Sequence, residues 1–221
     1  MSLVTVSATY GAGGSQVGPA LAQRLGVPFV DRLIPSEVAA RLGVRLGAGL
    51  AHDGVSGGVV ARLLTSLAPI GQAFGAEPPA TGPLSDRDFR ETTEQVVFER
   101  AESGKGVILG RAAAVVLRDD PRAVHVRLDG TREARLRQAM RLQGIERATA
   151  ERRMRETDRA RHAYVHHFYR ADARDPALYH LLIDSTVVDL AVCVEIIALA
   201  VEGRATSQPE RPVGNAGRFS G

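Results

Sequence analysis

Residues 3–31 read LVTVSATYGAGGSQVGPALAQRLGVPFVD and contain the first complete strand, turn and helix pattern of the chain. β-Branched and polar residues alternate over 3–7, which predicts a strand. The glycines of YGAGGS break that pattern, and apolar residues then recur at helical spacing over 17–25, where Gly26 supplies a C-cap. The stretch therefore predicts a strand, a glycine-rich turn and a helix, followed by a short second strand at 28–30.

The rest of the chain continues this alternation. GVILG, AVHVRLD and the apolar residues 181–183 predict three further strands. Helices are predicted at 35–42, 85–102, 131–143, 149–169 and 190–202, with a shorter apolar helical piece at 59–67. Strands that alternate with helices predict an α/β protein with a doubly wound parallel sheet of about five strands.

Ligand sites of such sheets lie beyond the carboxyl ends of the strands. Four groups of residues are predicted to meet there: the glycine-rich turn, Asp31, Gly110 with Arg111, and the segment 184–186. Their convergence at one edge of the sheet is the main sequence evidence for a functional site.

Composition limits the class of protein. Hydrophobic residues make up 44% and charged residues 24% of the 221 residues, as in a globular domain. The first residues lack a basic flank and a cleavage signal, and no apolar stretch approaches the roughly 20 residues of a membrane helix. We therefore expect a soluble, cytoplasmic protein that does not associate with membranes. The single cysteine, Cys193, lies in an apolar helical pattern and is expected to be buried as a small hydrophobic residue.

Basic residues are almost all arginine, because Lys105 is the single lysine and the formal net charge is +3. Guanidinium groups bind phosphate oxygens well, so the chain can hold anions without lysine. Aromatic residues make up only 5% and no RNA-binding signature is present, so nucleic acid is not an expected partner. The sequence does not specify an oligomeric state.

The glycine-rich turn departs from the phosphate-loop pattern GxxxxGK[ST]. In the window 8–15, Gly13 and Ser15 are kept, whereas Ala8 replaces the first glycine and Gly14 replaces the lysine. Amides that open a helix after a strand bind anions whatever the side chains are. The segment Gly11, Ala12, Gly13, Gly14 and Ser15 is therefore predicted to bind phosphate, and the alternative is a tight turn that needs glycine for its geometry.

Lys105 is not expected to replace the missing lysine. It precedes the strand at 107–109 and so lies at the amino end of the sheet. That position is roughly 15 Å from the carboxyl edge at about 3.3 Å per residue.

Four segments, in this order, give a resemblance to a known family: YGAGGSQVGPALAQRLGVPFVDR, ILGRAAAVVLRD, RETDRAR and LLIDST. Over residues 3–30 and 104–202 the chain resembles the cytidylate kinase-like branch of nucleoside monophosphate kinases. This resemblance implies a P-loop NTPase-type fold with a helical acceptor-binding insert and an arginine-rich lid. It also implies a domain at 1–202, with the insert at 35–103 and the lid at 144–180. The segment 203–221 is rich in Gly, Pro, Ser and Arg and is predicted to be a disordered tail.

The resemblance implies roles for residues of the acceptor site. In classical cytidylate kinases a Gly-Arg-Asp sequence follows the third strand, and its arginine binds the acceptor phosphate. Gly110-Arg111-Ala112 keeps the first two residues, so Arg111 is expected to bind the acceptor, with a surface residue at a helix start as the alternative. Asp31, at the end of the second strand, is a second expected acceptor ligand.

The lid pattern RDxRDxxR is matched in part by residues 154–161. Asp158 and Arg161 are kept, and Met154 stands in place of the first arginine. The resemblance implies that Asp158 contacts the acceptor sugar or shapes the lid, and that Arg161 binds the transferring group. Arg155 and Arg159 are the reserve candidates for the lost charge.

Charge around the lid is strongly positive, since residues 132–161 contain ten arginines and five acids. Arginines 152, 155 and 159 share one helical face. A catalytic cluster and an ordinary solvated face both remain open for these residues.

Two further groups are weak candidates. His162 and His166 have a spacing that can bind zinc, but the sequence supplies no third ligand. Ser185 is either part of the site or the N-cap of the last helix.

The resemblance thus implies ATP-dependent phosphoryl transfer to a nucleoside monophosphate, with an acceptor of the CMP or dCMP type. Mg²⁺ would bridge the phosphates, with Ser15 as its ligand from the loop. The alternative is a nucleotide-binding protein without useful kinase activity, because Gly14 and Met154 remove two cations.

Overall fold

The computed structural model describes residues 2–30, 86–110 and 112–207. Some sequence predictions lie outside the described residues: the helix at 35–42, the apolar piece at 59–67, Asp31, Arg111 and the tail from 208 onward.

The described chain contains five strands and six α-helices. The strands are β1 (Ser2–Ala8), β2 (Phe29–Val30), β3 (Lys105–Leu109), β4 (Ala123–Asp129) and β5 (Leu181–Asp184). The helices are α1 (Gly14–Leu25), α2 (Asp86–Ala101), α3 (Ala113–Val116), α4 (Arg132–Gln143), α5 (Arg147–Tyr169) and α6 (Leu190–Ser207). A short 3₁₀ helix at Pro176–Leu178 precedes β5.

All five strands are parallel and lie in the order β2-β3-β1-β4-β5. This arrangement confirms the predicted doubly wound parallel sheet. β1 lies at the centre, so the turn that follows it emerges between the carboxyl ends of β3 and β4. The sheet therefore brings the glycine-rich turn to the edge where ligands of such folds bind.

Helices cover both faces of the sheet, and the alternation of strand residues divides the core in two. Val4 and Val6 of β1 pack with α1 and α6 on one face. Leu3 and Ile108 face the other side, where they pack with α2 and with the second half of α5. The glycine-rich turn is thus anchored to a buried central strand.

Local signals fix several helix ends where the sequence places them. Gly26 and Gly144 end α1 and α4 with positive φ values of 63° and 62°. Thr131 caps α4 by accepting a hydrogen bond from the amide of Ala134 at 3.3 Å. Two ends differ from expectation: α5 begins at Arg147 and not at Thr149, and α6 continues to Ser207, past the expected end at Glu202.

Within the described ranges, no helix combines the length and the apolar character needed to cross a membrane. Cys193 is fully buried on α6, as expected for a small hydrophobe.

A buried histidine of β4, His125, stacks on an exposed histidine, His180, that precedes β5. The ring of His125 stacks on that of His180, with centroids 5.1 Å apart, and the hydroxyl of Thr5 lies 2.8 Å from Nδ1 of His125. Arg204 of α6 lies 3.1 Å from Nε2 of His180. Burial, followed by the charge of His180, lowers the pKa of His125 to about 4.

This depressed pKa predicts a loss of stability in mild acid. An unfolded histidine binds a proton below about pH 6.5, whereas folded His125 resists protonation down to about pH 4. The unfolded state therefore binds more protons in this window, and stability falls as the pH drops. We expect a loss of about 2 kcal/mol between pH 7 and pH 5 from this residue.

Urea unfolding followed by circular dichroism at pH 7, 6 and 5 measures this effect. His125→Asn keeps an acceptor for Thr5 but cannot titrate, so its stability should fall less steeply over the same range. Equal slopes for the wild type and the variant would contradict the assignment to His125.

Candidate functional site

The turn between β1 and α1, residues 9–13, has the backbone geometry of an anion-binding loop. Gly11 and Gly13 adopt φ values of 81° and 76°, in the left-handed region. A Cβ on Gly11 would lie 2.2 Å from the carbonyl oxygen of Arg135, so a side chain is excluded there. Glycine is therefore required here for two reasons: the backbone is left-handed, and at Gly11 it lies too close to α4 for a side chain.

Packing between Ala8 and Gly14 accounts for the missing lysine. A Cβ on Gly14 would lie only 2.5 Å from the Cβ of Ala8. In the standard pattern the first position is glycine and the seventh is lysine, so a Cβ is present only at the seventh. Here the Cβ is present at the first position, and the two departures from the pattern are sterically complementary.

Amides at the start of α1 are available to a ligand. Gly13 is the N-cap in a left-handed conformation, no side chain caps the helix, and its first turn contains no acidic residue. In the part of the chain that the structure describes, the amides of Gly13, Gly14 and Ser15 donate no hydrogen bond. Gly13 and Gly14 are buried while Ser15 is exposed. An anion at this helix end would satisfy amides that are otherwise costly to bury.

Asp129, which the sequence analysis did not single out, holds the loop from the end of β4. Its Oδ1 accepts a hydrogen bond from Thr9 at 2.8 Å, and its Oδ2 accepts from Arg127 at 2.6 Å. Burial raises the pKa of Asp129, but the hydrogen bonds from Arg127 and Thr9 outweigh it and leave the pKa below its usual value. The carboxylate is therefore charged and engaged in positioning the loop.

Ser185 holds the other side of the loop and is not a helix cap. Its hydroxyl donates to the carbonyl oxygen of Ala12 at 2.7 Å, and the residue is 1% exposed. The side chain of Gln138 donates to the Ser185 carbonyl at 3.1 Å. The start of α6 is capped by Asp189, whose Oδ1 accepts from the amide of Ala191 at 2.8 Å, so Asp189 has the capping role that was considered for Ser185.

Arg135 and Asp158 meet at Tyr10. The amide of Tyr10 donates to Oδ1 of Asp158 at 2.9 Å, and the carbonyl of Tyr10 accepts from Nη1 of Arg135 at 2.9 Å. The same Nη1 lies 2.7 Å from Oδ2 of Asp158. Asp158, expected near the acceptor, thus lies against the phosphate loop.

Arg161 also reaches the loop, whereas the two reserve arginines do not. Nη1 of Arg161 donates to the carbonyl of Ala8 at 2.5 Å. Arg155 and Arg159 are exposed, and among the described residues neither forms a hydrogen bond with the loop. Of the three lid arginines named from the sequence, the structure brings Arg161 to the site.

Met154 occupies the first arginine position of the lid pattern because that position is buried. It is 2% exposed and packs with Leu136 and Ala150, while Tyr10 and Met140 border the same cluster. An arginine here would bury a charge without a partner carboxylate in this cluster. The first half of α5 is therefore docked on α4 and on the loop.

The turn after β3 is unusual on both sides of Arg111. Gly110 has φ 80° and Ala112 has φ 56°, one of only two left-handed non-glycine residues in the described chain. Such conformations are sparsely populated and cluster at functional sites. Arg111 and Asp31 lie outside the described residues, so their acceptor roles stay predictions.

His162 and His166 stack with ring centroids 6.1 Å apart. Among the residues with described positions, no group of three or more potential metal ligands of the His, Cys, Asp or Glu type occurs. Mg²⁺ bound with a nucleotide does not need such a group, since it takes one or two protein ligands and phosphate oxygens. The exposed hydroxyl of Ser15, in the first turn of α1, fits that use.

The fold and the loop together define a class: a parallel α/β domain with a glycine-rich turn that leads from its central strand into a helix. The sequence matches the cytidylate kinase-like family over residues 3–187. The chain belongs to this family, as the sequence motifs led us to expect, and membership supports phosphoryl transfer as its general reaction class.

Comparison with solved structures found several similar chains. An uncharacterized protein from Eubacterium ventriosum has a TM-score of 0.64 and 18% identity, covering 91% of this chain and 99% of that one. Shikimate kinase from Acinetobacter baumannii, in complex with shikimate, has a TM-score of 0.48 and 17% identity over 92% and 94% of the two chains. A gluconokinase from Sinorhizobium meliloti has a TM-score of 0.47 and 17% identity over 92% and 93%. No curated protein sequence matches this chain.

Proposed function

We propose that the protein is an ATP-dependent phosphotransferase that acts on a nucleoside monophosphate, with CMP or dCMP as the first candidates. One observation carries this proposal: open amides at the start of α1 lie beside a loop whose carbonyls are held by Arg135 and Arg161. Amides and guanidinium groups together suit a polyphosphate, because both donate hydrogen bonds to its oxygens. We also propose that the protein acts in the cytoplasm, where ATP and nucleotides are available.

Each part of the site has a proposed role. The loop residues 11–15 bind the donor phosphates, mainly through the open amides of Gly13, Gly14 and Ser15, and Arg161 binds the transferring group. Arg111 and Asp31 bind the acceptor. Little covalent chemistry is required of the protein in phosphoryl transfer, since positioning and charge stabilisation supply most of the catalysis.

Mg²⁺ supplies neutralisation of charge on the phosphate oxygens when it is bound with the nucleotide. Ser15 is the proposed protein ligand. Asp129 is not proposed as a ligand, because both of its carboxylate oxygens accept hydrogen bonds from Thr9 and Arg127.

A second candidate function is nucleotide binding without a useful rate of transfer. The contact between Ala8 and the Gly14 position favours it, because this packing excludes the lysine that stabilises transferring phosphate. A coupled-enzyme screen of ATP with the common nucleoside monophosphates separates the two. Turnover with any acceptor supports the kinase, and binding of ATP without turnover on any acceptor supports the second candidate.

Ser15→Asp tests the anion site directly. In the wild type we expect ADP at a hundred times its Kd to raise the melting temperature by about 5 to 10 °C. The variant should lose this rise, because a carboxylate in the first turn of α1 repels phosphate. Its own stability should not fall, since an acidic residue at a helix N-terminus contributes about 0.3 to 1 kcal/mol.

Thermal melts with ADP, with inorganic phosphate and without ligand measure this difference. Ser15→Asn, of similar shape and without charge, is the matched control and should keep most of the shift. Ser15 is a cleaner probe than Gly13, where a Cβ would lie 2.6 Å from the side chain of Leu190. If millimolar ADP and phosphate leave the wild-type melt unchanged, the loop is only a turn.

A further inference from the structure

Three hydrogen bonds enclose Tyr10 in the middle of the phosphate loop. Its amide donates to Asp158, its carbonyl accepts from Arg135, and Arg135 and Asp158 pair with each other at 2.7 Å. Because the amide and the carbonyl of one residue belong to adjacent peptide planes, these bonds fix both backbone dihedrals of Tyr10. The two charged residues come from different helices, α4 and α5.

The loop needs such a restraint. Gly11, Gly13 and Gly14 follow Tyr10 within four residues, and glycine loses more conformational freedom on ordering than any other residue. A loop that is ordered before the ligand arrives binds it more tightly, because the ordering cost is met in the free protein. The absent lysine leaves the loop without its usual internal cation.

Arg135 is itself held rigidly. Its side chain is 11% exposed, its Nε donates to the carbonyl of Gly130 at 3.1 Å, and Oδ1 of Asp129 lies 3.5 Å from that nitrogen. Its backbone carbonyl lies against Gly11. A guanidinium with this many anchors can define the position of Tyr10, and its planar fork serves two acceptors at once.

We propose that Arg135 is a positioning residue, which with Asp158 holds Tyr10 and keeps the lysine-free loop in its phosphate-binding conformation. This inference rests on the proposed function. It assigns Asp158 to the loop, since both of its oxygens are used there, and it couples nucleotide affinity to the docking of α5. Arg135 was counted in the sequence only as one member of the arginine-rich region.

Arg135→Gln tests the proposal with two readouts. Hydrogen exchange of the ligand-free protein should become at least about tenfold faster at the hydrogen-bonded loop amides of Thr9, Tyr10 and Ala12, while exchange in β5 stays unchanged and shows that the fold persists. The Kd for ADP, measured by calorimetry, should rise about tenfold or more, which corresponds to about 1.4 kcal/mol. Arg135→Lys keeps the charge without the fork and should recover part of the affinity.

Asp158→Asn supplies the matched partner variant, because it keeps an acceptor for the Tyr10 amide and loses the ion pair. Adding Arg135→Gln to Asp158→Asn should then raise the Kd for ADP less than it does in the wild type, as expected for two residues of one network. Additive effects would show that the residues act separately and would overturn the proposal.

The proposal is also overturned if a folded Arg135→Gln protein keeps the wild-type exchange rate in the loop, or the wild-type Kd. The proposed function fails in a different way, through a wild type that binds neither ADP nor inorganic phosphate at millimolar concentration. In that case the exchange readout alone decides whether Arg135 and Asp158 order the loop.

Discussion

Replacing Arg161 with alanine is expected to reduce turnover with the best acceptor roughly a hundredfold to a thousandfold, while the Kd for ADP changes only a few fold. Removing one preorganised charge donor from a transition state typically has an effect of this size. Arg161 reaches the loop at Ala8, the position that opens the phosphate-loop window, and no lysine shares its task there. ADP binding should persist because Arg161 bonds to Ala8, the last residue of β1, which the sheet already holds opposite Leu128.

Steady-state kinetics and calorimetry on the same protein preparations measure the two effects. Arg152→Ala is a suitable control, because Arg152 is exposed on the same helix and belongs to no part of the proposed site. A wild-type rate at the ordinary kinase level that Arg161→Ala leaves intact would refute the role of Arg161. Equal losses in turnover and ADP affinity would show that Arg161 contributes to nucleotide binding in the ground state and not specifically to the transition state.

Restoring the lysine should require two substitutions. Gly14→Lys alone places its Cβ 2.5 Å from that of Ala8, and overpacking of this kind costs about 1 to 3 kcal/mol. The double variant Ala8→Gly with Gly14→Lys removes the overlap and recreates GxxxxGKS. We expect its turnover to exceed that of the wild type by about a hundredfold or more, if the new ammonium reaches the phosphates as in standard loops.

Unfolding free energies and turnover of the wild type, both single variants and the double variant form a complete cycle. The overlap predicts strong non-additivity in stability, with the double variant more stable than Gly14→Lys alone. Additive stabilities would show that Ala8 and position 14 do not compete for space. A double variant that is stable, yet no faster than the wild type, would mean that arginines already supply the whole effect of the lysine.

Much of the fold follows from local signals in the sequence. Periodicity located the five strands, and Gly26 and Thr131 marked helix ends because each acts within its own turn. The glycine-rich turn was identified for the same reason. The end of α6 was placed too early, because Gly203 is compatible with a helix that continues to Ser207.

The contacts that shape the site are harder to infer, because they join residues far apart in the chain. Asp158 and Tyr10 are 148 residues apart, and Ser185 and Ala12 are 173 apart. One signal was available: Asp129 ends a strand at the same edge as Asp184, with which it is paired in register. A comparison of the residues that end all five strands would therefore have identified Asp129 as a site residue.

The arginine-rich helix α5 shows how a charge count can mislead. Met154, Asp158 and Arg161 recur at helical spacing and form the face that docks on the loop, whereas Arg155 and Arg159 face solvent. The buried methionine between arginines was the informative residue, since an apolar side chain in a charged helix marks the face that packs. The arginines that produce the excess positive charge lie on the opposite face of the helix, which is exposed to solvent.

The close approach of Ala8 to Gly14 also constrains the order in which substitutions could accumulate in a lineage. A chain with the present pair that gains lysine first passes through an overpacked loop. If Ala8 changes to glycine first, the chain loses only about 0.5 to 1 kcal/mol in the strand, and a later lysine is then accommodated. Lysine-containing and lysine-free loops are therefore connected by a path through a chain with glycine at both positions, and this path can be taken in either direction.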